Sequence, residues 1–186
     1  MTGPDVDVVF ICTGNRFRSP LAAALFSAEV DGLPVHTSSL GTLDLGSAGA
    51  LPEAVAIGSS FGVDLSGHQT RALRQVDLEP LDLLVGFEWA HVQAAIVDGR
   101  AAIERTFTLP ELVGLLTALP ESEAGSVPAE QARARVQQAH ALRPAGFMSR
   151  RAPEIADPLG RPAATQRRIA DELRELVTEL AQRLFR

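Results

Sequence analysis

The chain has 186 residues, 46% hydrophobic and 22% charged, with a formal net charge of -6. That length and balance fit one soluble globular domain with a sizeable core, and the acidic excess argues against general nucleic-acid binding. One cysteine excludes an intramolecular disulfide, no apolar run reaches the roughly 20 residues that span a bilayer, and the scattered histidines form no metal cluster. All 17 basic residues are arginine, so any anion clamp must be a guanidinium fork. With no secretory signal, the expectation is a cytoplasmic protein.

Asp7 to Ile11 reads as a buried strand, a short β-branched run feeding a loop. Ser19 is the expected N-cap of a helix over Leu21–Val30, with Pro20 in its first turn. Val35–Ser39 is a second strand, and Leu51–Phe61 a helix stopped by Gly62. Leu81–Val85 is the third strand, followed by a helix over Glu88–Val97. Arg105–Leu109 is the fourth, closed by Pro110 and a helix through about Leu119. Residues 120–153 read as an excursion from the same domain, in which Ala129–Leu142 forms a surface helix. Thr165–Phe185 is a long amphipathic helix, with Ile169, Leu173, Leu176, Leu180 and Leu184 at helical spacing. Alternating strands and helices predict a single α/β domain over 1–186, three layers deep around a four-stranded parallel sheet.

The chemistry concentrates at Cys12-Thr13-Gly14-Asn15-Arg16-Phe17-Arg18-Ser19-Pro20, where a strand, a tight loop and a helix start meet at the one thiol. The thiolate is the nucleophile of such a residue. Inward-turned backbone N–H groups and the positive helix end favour it, and they also favour a bound phosphate. Arg18 closes the ring and forks two phosphate oxygens. Gly14 permits the turn, Asn15 tolerates a left-handed φ, and the Ser19 hydroxyl reaches the Cys12 sulfur. The plain alternative is a structural cysteine at a strand end. Cys-x5-Arg alone is a weak signal in a chain this rich in arginine.

These residues resemble the signature loop of the low-molecular-weight protein tyrosine phosphatases. Ser39-Leu40-Gly41-Thr42, Asp64-Leu65-Ser66-Gly67-His68-Gln69-Thr70-Arg71 and Asp157-Pro158 resemble further segments of that family. The likeness spans about residues 7–110 and 154–184, and residues 120–153 have no counterpart in its short members. It implies a flavodoxin-like fold, no cofactor or metal, and a phosphorylated protein (phosphotyrosine) or small aryl phosphate as substrate. It makes Cys12 the nucleophile, Arg18 the phosphate clamp and Asp157 the general acid and base. Thr13, Gly14, Asn15, Arg16, Phe17, Arg18 and Ser19 become the phosphate loop, braced by Ser39 and His68.

Alternatives stand beside each assignment. Asp157-Pro158 is also an ordinary turn device. Ser39 could merely end a strand, and His68 could lie on the surface. Glu88, Trp89 and His91 suit a helix start, where His91 caps as well as it binds. His36 and His140 read as structural or solvated, and Arg150-Arg151 as a solvated pair or an acidic-partner contact. Arg16 either adds charge for acidic substrates or faces solvent. Phe17 stands where many relatives have a second cysteine. Leu159-Gly160 stand where they carry aromatics, and the Gly41–Gly46 segment lacks the aromatic wall of many relatives, which makes Leu43 and Leu45 candidate apolar walls. A small-thiol arsenate reductase, or a phospho-binding protein without turnover, would use the same loop.

Overall fold

A computed structural model describes residues 5–121, 127–147 and 152–186. Strands β1 (Val6–Cys12), β2 (Val35–Gly41), β3 (Leu83–Gly86) and β4 (Thr106–Thr108) form one parallel sheet in the order β2-β1-β3-β4. Its register sets Val6 beside Val35 and Cys12 beside Gly41, with Ile11 beside Gly86 and Gly86 beside Thr108. The helices are α1 (Arg18–Glu29), α2 (Pro52–Ser60), α3 (Trp89–Val97), α4 (Leu109–Thr117), α5 (Pro128–Ala141) and α6 (Ala163–Phe185). This is the parallel three-layer arrangement expected from the alternating elements, and the flavodoxin-like fold that the resemblance implies. None of the described helices is long and apolar enough to cross a membrane.

Side chains alternate along β1, so its two faces feed two cores. Val8, Phe10 and Cys12 pack with Phe26 of α1, Leu112 of α4 and Leu173 and Leu180 of α6. Val9 and Ile11 face the other way, onto Leu40, Leu84 and Ala95 of α3. The chain leaves β1 for β2 on one side and reaches β3 on the other. Strand order therefore reverses at the carboxyl end of β1, the place where open α/β sheets bind ligands. Cys12 is the last residue of that strand.

Two expectations are corrected. Ser19 does not cap α1: the helix begins at Arg18 with Phe17 at the cap position, and no side chain caps it. The Ala129–Leu142 stretch is not a surface helix. Ala129, Ala132, Val136 and Ala139 of α5 are buried in the first core. Alanine at helical spacing lets that polar-rich helix seat closely. Just beyond it, Arg143 forks Glu111 of α4 at 2.9 Å on both oxygens and lies 3.8 Å over the Phe107 ring. The Arg150-Arg151 pair lies outside the described residues.

Candidate active site

The loop from Cys12 to Arg18 is held by β2 and by its own side chains. Thr42 N donates to Cys12 O (2.9 Å) and Leu43 N to Thr13 O (3.0 Å). This close approach requires Gly41, where a Cβ would lie 3.0 Å from Thr13 O and 3.1 Å from Asn15 Cβ. The left-handed residue of the turn is Asn15 (φ 51°), while Gly14 has no positive φ. Among the described residues, no backbone acceptor takes the N–H groups of Thr13 through Phe17. A run of unpaired donors ahead of a helix N-terminus is an anion cradle.

Asn15 is fully buried and every polar atom of its amide is used. Its Nδ2 donates to Ser19 Oγ (2.9 Å) and Ser39 Oγ (2.8 Å), and its Oδ1 accepts from Arg71 N (2.9 Å). His68 Nε2–H donates to Asn15 O at 2.7 Å, which sets its tautomer. A satisfied buried network of this kind holds one loop conformation. Ser39 and His68, expected as braces, both meet the loop through Asn15.

Cys12 Sγ lies 3.0 Å from Ser19 Oγ, and Ser19 Oγ lies 3.1 Å from Leu40 O. The hydroxyl has one proton for these two acceptors. With a thiol present it donates to Leu40 O and accepts from S–H. With a thiolate it turns and donates to sulfur. The site tolerates both states without moving a heavy atom.

Arg18 is 2% exposed, and both of its terminal nitrogens are engaged. Its Nη1 meets Glu88 Oε1 at 2.6 Å and donates to Ile155 O at 3.1 Å, and its Nη2 meets Asp157 Oδ2 at 3.1 Å. Ile155 N in turn donates to Phe87 O (2.8 Å), which fastens the 155–157 segment to the end of β3. Asp157 also accepts from Leu159 N at 3.1 Å, so it serves as a turn device as well.

His91 does cap α3, as its position suggested. Its Nδ1 accepts from Glu88 N (3.1 Å) and Phe87 N (3.3 Å). Its Nε2–H therefore donates to Thr13 Oγ1 at 3.0 Å, tying the helix start to the loop. Gly86 leaves room for the ring, since a Cβ there would lie 2.9 Å from His91 Cβ. Burial pushes the imidazole down to about 4, and the nearby Arg18 charge adds to this.

The folded state thus refuses the proton down to about pH 4, while an unfolded histidine takes it near pH 6.5. Stability from neutral His91 is complete above pH 6.5 and drains away as pH falls toward 4. The loss is up to about 3 kcal/mol. Denaturant unfolding at pH 7 and pH 4.5 checks it. Wild type should lose more stability than His91→Gln, and equal losses would contradict the assignment.

Over the sulfur opens a cavity of about 270 Å³. Cys12, Arg18 and Asp157 line it together, and Leu43, Leu45, Leu51 and Leu159 supply an aliphatic collar. A larger cleft of about 480 Å³ lies between α1, β2 and residues 64–71; it touches Ser39 and His68 from behind and holds no nucleophile. His36 is exposed on β2, and His140 lies against the Phe147 ring, away from the loop. No group of three or more His, Cys, Asp or Glu able to hold a metal occurs among the described residues.

Glu88 is the functional residue that sequence reasoning missed as a partner of Arg18. It was legible only as a helix start, since its contact with Arg18 spans 70 residues of chain.

The model for the family described as "Low molecular weight phosphotyrosine protein phosphatase" matches residues 7–115. The protein-arginine-phosphatase of Bacillus subtilis (strain 168) is 34% identical over 110 residues, 58% of this chain and 73% of that protein. The low molecular weight protein-tyrosine-phosphatase of Streptomyces coelicolor is 38% identical over 94 residues, 47% of this chain and 56% of that one. A solved low molecular weight protein tyrosine phosphatase from T. tengcongensis superposes with a TM-score of 0.70 at 25% identity, covering 95% of this chain and 97% of that one.

Proposed function

The chain belongs to the low molecular weight phosphotyrosine protein phosphatase family, a family of hydrolases, and from that premise we propose that it hydrolyses phosphotyrosine in proteins through a phosphocysteine on Cys12. The observation that carries this is the cradle itself: Cys12 beneath unpaired loop amides, with Arg18 and Asp157 in the same cavity.

The Cys12 thiolate attacks phosphorus, and the bond from phosphorus to the ester oxygen breaks. Asp157, as the carboxylic acid, gives its proton to the departing oxygen. Arg18 and the loop amides take the charge that spreads over the equatorial oxygens. Asp157, now a carboxylate, draws a proton from water as that water attacks phosphorus. The sulfur–phosphorus bond breaks, inorganic phosphate leaves, and the thiolate returns with Ser19 donating to it.

Glu88 and Asp157 play different parts around Arg18. The Glu88 carboxylate is largely covered and holds Nη1, whereas Asp157 is 45% exposed and holds Nη2. An arriving phosphate displaces Asp157 from Nη2, which frees the carboxyl for the leaving oxygen. Glu88 and Ile155 O keep the guanidinium in place meanwhile. A lone unpaired thiol nucleophile fits a reducing, cytoplasmic compartment.

A second reading, phosphoarginine, is favoured by the Bacillus subtilis relative and by a mainly aliphatic wall, in which Phe17 is the one aromatic side chain among the described lining residues. Arg16 lines the same cavity, and its charge opposes the guanidinium part of a phosphoarginine side chain. Matched peptides carrying phosphotyrosine or phosphoarginine, assayed for phosphate release, decide between them. Faster release from phosphotyrosine is expected, and a preference for phosphoarginine would overturn the tyrosine assignment.

A further inference from the structure

Arg16 belongs to the loop, yet its side chain is tethered away from Arg18. Its Nε donates to Gly49 O at 2.8 Å, and its carbonyl accepts from Leu51 N at 2.8 Å. Both anchors fix it to the segment ahead of α2. Arg16 lines the 270 Å³ cavity beside Leu45 and Leu51. Among the described residues, no acceptor takes its two terminal nitrogens, and no carboxylate pairs with it. Asp157, the acidic side chain that lines the cavity, is paired with Arg18, and Asp44, between Leu43 and Leu45 in sequence, is paired with Arg74. The cavity wall thus presents one oriented guanidinium, unpaired among the described residues, beside mainly apolar side chains.

Arg18, pinned by Glu88 and Ile155 O, already serves the scissile phosphate. The Gly49 tether holds Arg16 to a different wall. A guanidinium fixed through Nε keeps its fork pre-organised for a planar or tetrahedral anion. We propose that Arg16 reads a second anion on the substrate, a carboxylate or second phosphate beside the phosphotyrosine, and so selects acidic phosphopeptides. The proposal rests on the phosphatase reading of the same loop. Attraction of this kind weakens with salt, because the group is partly exposed.

The test uses the full chain and phosphotyrosine peptides of equal length. Their neighbouring residues are neutral, glutamate or phosphoserine, and each variant's rate on a small aryl phosphate is its own reference. Wild type should favour the acidic peptides in kcat/KM by about fivefold, less in high salt. Arg16→Ala should collapse that ratio, and Arg16→Glu should reverse it. A preference confined to phosphoserine assigns the subsite to a second phosphate, and one shared by glutamate assigns it to any anion. Equal kcat/KM for all three peptides in wild type, or a ratio that survives Arg16→Ala, would overturn the proposal. The same peptide ratio is read as Kd on Cys12→Ser, with and without Arg16→Ala. Failure of wild type to hydrolyse the aryl phosphate would reject the phosphatase reading, and the Kd ratio would still decide for or against the subsite.

Discussion

Cys12→Ser should lower kcat on an aryl phosphate by about four to six orders of magnitude while leaving the fold intact. The size follows from chemistry. A serine hydroxyl is far less ionised than a thiol, and among the described residues no basic side chain is hydrogen-bonded to take its proton. Among the described residues, the one side chain hydrogen-bonded to the nucleophile is Ser19 through Oγ at 3.0 Å, which is itself a hydroxyl. The fold is spared because Cys12 is small, buried and already beside a polar partner, so the new hydroxyl keeps a hydrogen bond. Phosphate should still bind, since the loop amides and Arg18 are untouched. Phosphate-release assays, thermal unfolding and phosphate titration separate these outcomes. Turnover within tenfold of wild type would reject covalent catalysis by Cys12.

Asp157→Ala should lower kcat by about a hundredfold to a thousandfold, and by more as the leaving group becomes more basic. Proton donation matters most when the departing oxygen holds its charge poorly. A nitrophenolate leaves without help, so with that substrate the first step should survive and the second should stall. The variant removes one contact to Arg18 Nη2, yet Glu88 and Ile155 O still hold Nη1, so phosphate binding should persist. Asp157→Asn is the control, because it keeps an acceptor for Leu159 N while losing the titrating group and its charge beside Arg18. The measurement is kcat across phenyl phosphates of graded leaving-group pKa. An unchanged dependence in Asp157→Ala would assign the proton to another group.

Much of the site was legible because it is local. The strand ending at Cys12, the turn at Asn15 and the helix opening near Ser19 lie within a few residues of one another, where propensity and spacing speak directly. The parallel sheet followed from strands alternating with helices. Other features were hidden because they exist only after the sheet is assembled. Glu88 meets Arg18 only when β1 and β3 lie side by side. Ser19 looked like a cap, but its hydroxyl is drawn inward by Cys12, Asn15 and Leu40. The α5 helix looked solvated because its buried stripe is mostly alanine, a weak hydrophobic signal beside so much arginine and glutamine. Its seat depends on α4 and α6 already being in place.

A phosphoryl group carried on sulfur is the intermediate that the proposed mechanism requires. The direct test mixes Asp157→Ala with nitrophenyl phosphate, quenches within one turnover, and maps the adduct by mass spectrometry. A burst of nitrophenol matched by one phosphoryl group on Cys12 is expected. A burst with no phosphoryl group on Cys12, or one attached to another residue, would contradict it.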